Sequence, residues 1–153
     1  MKVTVFKRLV GVVVVMAASL KISAFAQDIS WFTANPGAST FYISTEAHLQ
    51  GLSELVNRQN NPVSFKGKTI ILNADITLAE KHIPIGDYSK VGATSIYRTF
   101  NGIFNGNRKT ISNLSVTGEY KYAGLFGYIE KDGKIINLTV SIRFFYIDFN
   151  YIY

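Results

Sequence analysis

Four charged residues in the middle of the chain, Asp75, Asp87, Arg98 and Lys109, are of the types that carbohydrate chemistry uses. Such chemistry takes two carboxylates, or a carboxylate with a cation, on one outward face. Nothing in the spacing of these four brings them together, and a solvated charge on a loop-rich surface is their ordinary use. Zinc hydrolysis lacks its ligands: His48 and His82 stand far apart in the sequence and no His-Glu-x-x-His is present. No Gly-x-Ser-x-Gly elbow supports a Ser-His-Asp triad. Gly124-Leu125-Phe126-Gly127 has the glycine spacing of some phosphate loops. It precedes a strand pattern, so no helix N-terminus is there to attract an anion. The sequence thus assigns no catalytic residue, no cofactor and no metal. Its binding candidates are aromatic. Tyr120, Tyr122 and Tyr128 are the candidate glycan contacts, because a phenol ring stacks on a sugar and carries a polar tip.

The elements that would position them begin with export. Residues 1–26 read as a signal peptide: Lys2, Lys7 and Arg8 form a basic start, Leu9 to Ala18 is apolar, and Ala24-Phe25-Ala26 has the small-x-small cleavage form. The apolar run is shorter than the roughly 20 residues a membrane helix needs, so no transmembrane span is expected once the signal is removed. The expected location is extracellular, cell-surface or periplasmic. The chain has no cysteine, so neither disulfides nor thiolate metal sites hold it together. Loss of Lys2, Lys7, Arg8 and Lys21 with the signal lowers the net charge from +6 to +2. That balance is too weak and scattered for a nucleic-acid partner.

Residues 27–43 read as a lead-in strand or loop around Asn35-Pro36-Gly37. Residues 44–59 are the one good helix: Ser44 or Thr45 caps, Glu46 sits in the first turn, and Leu49, Leu52, Leu55 and Val56 form one apolar face. His48 is a boundary residue of that helix. Asn60-Asn61-Pro62 ends it. Its apolar face predicts that it covers an otherwise open core. Beyond Pro62 the period changes to two, as in Thr69-Ile70-Ile71-Leu72 and Ile76-Thr77-Leu78. Residues 87–98 read as a polar loop.

Three segments repeat: Asp75-Ile76-Thr77-Leu78, Asn113-Leu114-Ser115-Val116 and Asn137-Leu138-Thr139-Val140. Gly102-Ile103-Phe104 likewise aligns with Gly124-Leu125-Phe126, at nearly the interval that separates the last two tetrads. That interval, a period of about 23, suits one coil of a parallel β-solenoid. Ile111 and Ile135 lie at odd distance from the other apolar residues, so the chain must bend between them. Asp75, Asn113 and Asn137 are the predicted corner positions, and asparagine tolerates the left-handed backbone that corners require. Stacked corners would bring Asn137 over Asn113 as an amide ladder. The predicted fold class is all-β with one capping α-helix, an incomplete right-handed parallel β-helix spanning residues 64–141.

The blocks "FYISTEAHLQGLSELVN", "FKGKTIILNADITL", "IPIGD", "FNGIFNGNRKTISNLSVTG" and "AGLFGYIEKDGKIINLTV" together resemble the opening of bacterial secreted proteins with the GLUG motif. The resemblance covers about residues 40 to 141, with one motif unit at 123–140 and the motif itself at Gly124, Leu125, Phe126 and Gly127. It implies a right-handed β-helix in an adhesin-like surface protein, or in the non-catalytic part of an immunoglobulin-A protease-like chain. Two departures are His82 where a tryptophan is common, and Asn105-Gly106-Asn107-Arg108 in place of Asp-Gly-Asn-Gly.

Residues 142–153 are an aromatic tail without the repeat, and the expectation is a truncated N-terminal fragment whose last coil is uncapped. The expected function is a non-catalytic structural or adhesive module meeting a host or cell-surface glycan or protein, and prone to self-association through the uncapped coil. A carbohydrate-binding or carbohydrate-active β-helix is the alternative.

Overall fold

The computed structural model describes residues 27–91, 93–116, 118 and 120–142. The expected signal peptide and residues 143–153 of the aromatic tail lie outside them. The chain is mostly β, with a parallel sheet and few helices. Its elements are α1 (Ser30–Thr33), β1 (Thr40–Ile43), α2 (Glu46–Asn57), β2 (Thr69–Leu72), β3 (Ile76–Thr77), β4 (Asp87–Val91), β5 (Thr94–Arg98), β6 (Ile103–Leu114) and β7 (Lys134–Ile142). The lead-in segment thus holds a one-turn helix that apolar periodicity does not reveal, followed by the first strand of the sheet.

Four passes of the chain lie side by side, all parallel. Thr40 pairs with Thr69, Thr69 with Ile103, and Ile103 with Lys134. Inward residues therefore stack in columns, since parallel pairing in register keeps each side chain above its counterpart. Phe41, Ile70, Phe104 and Ile135 form one such column; Ile76, Ile111 and Val140 form another beyond a bend. Phe41, Ile70, Phe104, Ile76 and Ile111 are at most 3% exposed. They join the leucines of α2 and Phe65, Leu78, Ile85 and Phe100 in one core.

The spacing of the passes corrects the predicted period. The steps from Thr40 to Thr69, from Thr69 to Ile103 and from Ile103 to Lys134 are each longer than the step from Asn113 to Asn137 on which that period rests. The similar tetrads lie at different corners. Asp75 and Asn137 both precede the second column of strands, Asn137 at the bend that Asn107 and Arg108 make in the pass between them and Asp75 just beyond it, opposite Thr110. Asn113 follows that column, at the next bend. Asn113 and Asn137 both have left-handed backbone, φ 64° and 54°. Their amides do not form a ladder: Asn113 Nδ2 donates to the Leu78 carbonyl and Asn137 Nδ2 to Asn105 Oδ1 at 3.3 Å. The Asp75 carboxylate accepts the Thr110 backbone N–H at 2.7 Å. Asp75 and Asn113 thus each satisfy a backbone group of a neighbouring pass, whereas Asn137 bonds a side chain.

The predicted polar loop at 87–98 is also corrected. β4 and β5 are an antiparallel hairpin with a tight connection, Val91 pairing with Thr94 and Tyr88 lying directly opposite Tyr97. Cross-strand aromatic pairing stabilises such a ribbon.

The helix forms where its cap and apolar face predict. Thr45 Oγ1 accepts the His48 backbone N–H at 3.1 Å. Leu49, Leu52, Leu55 and Val56 are fully buried. Its polar residues bind the segment it covers. Glu46 accepts the backbone N–H groups of Ala79 and Glu80, Ser53 Oγ donates to the Ile83 carbonyl at 2.7 Å, and Asn57 donates to the Pro84 carbonyl while accepting from Gly86. α2 thus serves the backbone groups that a neighbouring strand would otherwise serve.

Candidate functional site

The glycine motif lies against this helix-bound segment. Ile85 pairs with Phe126, the Ile85 N–H donates to the Leu125 carbonyl, and the Gly127 N–H donates to the Ile85 carbonyl at 2.9 Å. Gly86, with φ 84°, and Gly127 press backbone on backbone, so that a methyl group on Gly127 would collide with the Gly86 carbonyl. Glycine is needed here because nothing larger fits. Leu125 is buried, and the Phe126 ring packs on Phe100 and Phe104 at 5.2 and 5.4 Å. The motif is thereby occupied with structural contacts. The alignment of Gly124-Leu125-Phe126 with Gly102-Ile103-Phe104 is accordingly corrected: Ile103 pairs with Thr69 and Lys134, and Phe126 pairs with Ile85.

His82 lies in the same layer, fully buried, with Nε2 3.0 Å from the Leu125 carbonyl. Because a carbonyl only accepts, Nε2 carries the proton, which leaves the buried Nδ1 without a partner among the described residues. Burial lowers its pKa, against smaller opposing effects of the Leu125 bond and the Glu46 carboxylate. His48, by contrast, is a half-buried helix residue beside Asp28, at 3.2 Å.

The charges that suit carbohydrate chemistry divide into two places. Asp87 and Arg98 face each other at the base of the hairpin, 4.0 Å apart. Asp75 and Lys109 lie at the bend of β6, where Asp75 is occupied by Thr110. Of the four, Arg98 alone lines any of the three clefts beside Glu54, beside Lys66 and beside Arg58, whereas a hydrolase would need two such groups flanking one cleft. Among the described residues no group of three or more His, Cys, Asp or Glu could hold a metal, and no helix is long and apolar enough to cross a membrane.

The tyrosines do assemble. Tyr88 packs on Tyr97 at 5.0 Å, Tyr97 on Tyr128 at 5.4 Å, and Tyr128 on Tyr122 at 6.1 Å between ring centroids. Lys121 closes the circuit, its Nζ 4.2 Å from the Tyr88 centroid and 5.3 Å from that of Tyr122. Tyr97 is 54% and Tyr122 46% exposed, while Tyr88 and Tyr128 lie half-buried between them. Tyr122 and Tyr128 therefore meet, whereas Tyr120 turns its ring toward Gly118 and stands outside the circuit. Sequence reasoning missed Tyr88 and Tyr97. Their signal was two tyrosines equidistant from Gly92-Ala93, a connection of the glycine-first kind favoured in hairpins.

Beside Tyr97 a cleft of about 360 Å³ runs between the end of α2 and β5. Arg58, Gln59, Asn60, Tyr97 and Arg98 line it. Arg58 Nε donates to both Glu54 carboxylate oxygens, at 2.9 and 3.0 Å. Arg98 Nε donates to the Arg58 carbonyl and Nη1 to Ser89 Oγ. Among the described residues no hydrogen bond uses the Arg58 Nη atoms or Arg98 Nη2. Comparison with family models, curated proteins and solved structures finds no match for this chain.

Proposed function

We propose that this chain is a non-catalytic structural and adhesive module of a secreted or surface-exposed bacterial protein, its parallel passes being coils of a right-handed β-solenoid of the GLUG-motif kind. The observation that carries the reading is the register: the same columns of inward residues recur in successive passes, with bends between them at left-handed Asn107, Arg108 and Asn137. Stacking of coils is the reason such columns arise. α2 acts as a cap on one side, and the β4–β5 hairpin is a segment displayed on the scaffold. The basic, apolar and small-residue order of residues 1–26 supports export.

At the other side Ile135, Val140 and Ile142 continue the inward columns but remain 39%, 38% and 61% exposed. Among the described residues no strand pairs with the outer edge of β7. A further coil, or a second copy, fits that edge, because unpaired strand groups invite pairing.

The test uses the full chain, which has no cysteine of its own, in a bacterial host. Two cysteine pairs are compared: Asn105→Cys with Ile136→Cys, which are register partners, and Asn113→Cys with Asn137→Cys, which the shorter sequence period would stack. The reading expects an exported product beginning at Gln27 in which the first pair oxidises and the second does not. A cytoplasmic product of full length, or equal oxidation of both pairs, overturns it.

A further inference from the structure

We infer that the cleft at Tyr97, with the tyrosine circuit beside it, is a binding site for carboxylated pyranose saccharides. The inference rests on the display reading above and names the ligand class of its hairpin. Three features converge on that class. Tyr97 exposes half its surface at the cleft wall and is held from behind by Tyr88 and Tyr128. A ring so supported loses little freedom when the apolar face of a sugar covers it. The adjoining Arg58 and Arg98 each retain guanidinium N–H groups beyond those committed to Glu54, Ser89 and the Arg58 carbonyl. A guanidinium is the donor that matches a carboxylate. Gln59 and Asn60 add amides for sugar hydroxyls.

The tyrosine path extends the site. From Tyr97 the rings continue through Tyr128 to exposed Tyr122, with the Lys121 ammonium alongside. Adjacent rings are tilted by 59° and 56°. A faceted path of this kind suits the successive rings of an oligosaccharide better than a flat base or a straight strand. Glu54 and Asp87 lie beside the arginines and partly neutralise them, so the site is a modest attractor that depends on stacking as much as on charge.

The test is isothermal titration calorimetry of the exported full chain with trigalacturonate and with sialyllactose, which represent two sources of the same chemistry. Maltotriose and a tetraglutamate peptide separate the sugar from the charge. The expected result is binding of at least one acidic saccharide with a Kd near or below about 1 mM, weakened by salt, and little binding of the two controls. Tyr97→Ala is expected to weaken it about tenfold and Arg58→Gln about fivefold, while Tyr120→Ala changes nothing. Near-UV circular dichroism identifies variants that retain the fold. No binding of either acidic saccharide by a chain that passes the cysteine-pair test overturns this inference and leaves the scaffold standing. Equal binding of maltotriose or tetraglutamate, or binding indifferent to both Tyr97→Ala and Arg58→Gln, also overturns it.

Discussion

The two flanks of the parallel sheet solve the same problem differently. At one, α2 buries four aliphatic side chains completely and uses Glu46, Ser53 and Asn57 to satisfy the backbone of residues 79–86. At the other, β7 continues the inward columns with Ile135, Val140 and Ile142, all more than a third exposed. Depth of burial, and not residue type, separates them. An isoleucine stacked on a column contributes to stability in proportion to the area it removes from water. The comparison teaches that a stack of parallel passes is only as stable at each end as whatever lies over its last column.

The largest expected effect breaks the covered flank. Leu52→Ala should lower the unfolding free energy by about 2–5 kcal/mol, whereas Val140→Ala, at 38% exposure, should cost under about 1 kcal/mol. Urea denaturation of both variants measures the contrast, and equal losses would mean that the flanks are equally covered. Gly127→Ala comes next, because its methyl group meets the Gly86 carbonyl. About 1–3 kcal/mol should be lost as the backbone shifts, and thermal melting would read it.

His82 sharpens the same flank through pH. Its folded-state pKa lies below the usual 6.5, chiefly through burial. The unfolded chain therefore takes up a proton that the folded chain refuses, as pH falls below about 6.5. The stability from the neutral ring is present above that pH and is lost progressively as pH falls toward the folded-state pKa. His82→Gln keeps an N–H for the Leu125 carbonyl and should remove most of the fall in urea midpoint between about pH 7 and pH 5. An unchanged slope would assign the effect to other groups.

The smallest effect lies at the bend. Arg108 has φ 59°, a left-handed conformation that glycine adopts without strain. Relief of about 1–2 kcal/mol of backbone strain, offset by the unfolded-state freedom of glycine, should make Arg108→Gly more stable by about 0.5–1 kcal/mol. A lower urea midpoint would show instead that the arginine side chain contributes more than its backbone costs.

Much of the fold was legible where local signals act alone. Thr45 followed by leucines at helical spacing marks α2, and Thr69-Ile70-Ile71-Leu72 alternates as a strand must. The register was not legible. Asp75-Ile76, Asn113-Leu114 and Asn137-Leu138 look equivalent because each leads from a polar residue to an aliphatic one. They lie at two kinds of bend because the segments joining them differ in length and one includes the hairpin. The site was half legible: Tyr122 and Tyr128 have evident chemistry, but Tyr88, Tyr97 and Arg58 join them only because the hairpin packs against Tyr128 and the end of α2.

By itself the sequence determined the amphipathic helix, the alternating strands and the corner asparagines, which follow from side-chain period and from the backbone freedom of one residue. Tertiary structure decided which passes pair, which glycines touch and which tyrosines form a circuit. Those outcomes depend on connections that each carry the chain through a whole pass before it meets its partner strand. Over such a distance, closing each loop and filling one shared interior select the register that no local pattern specifies.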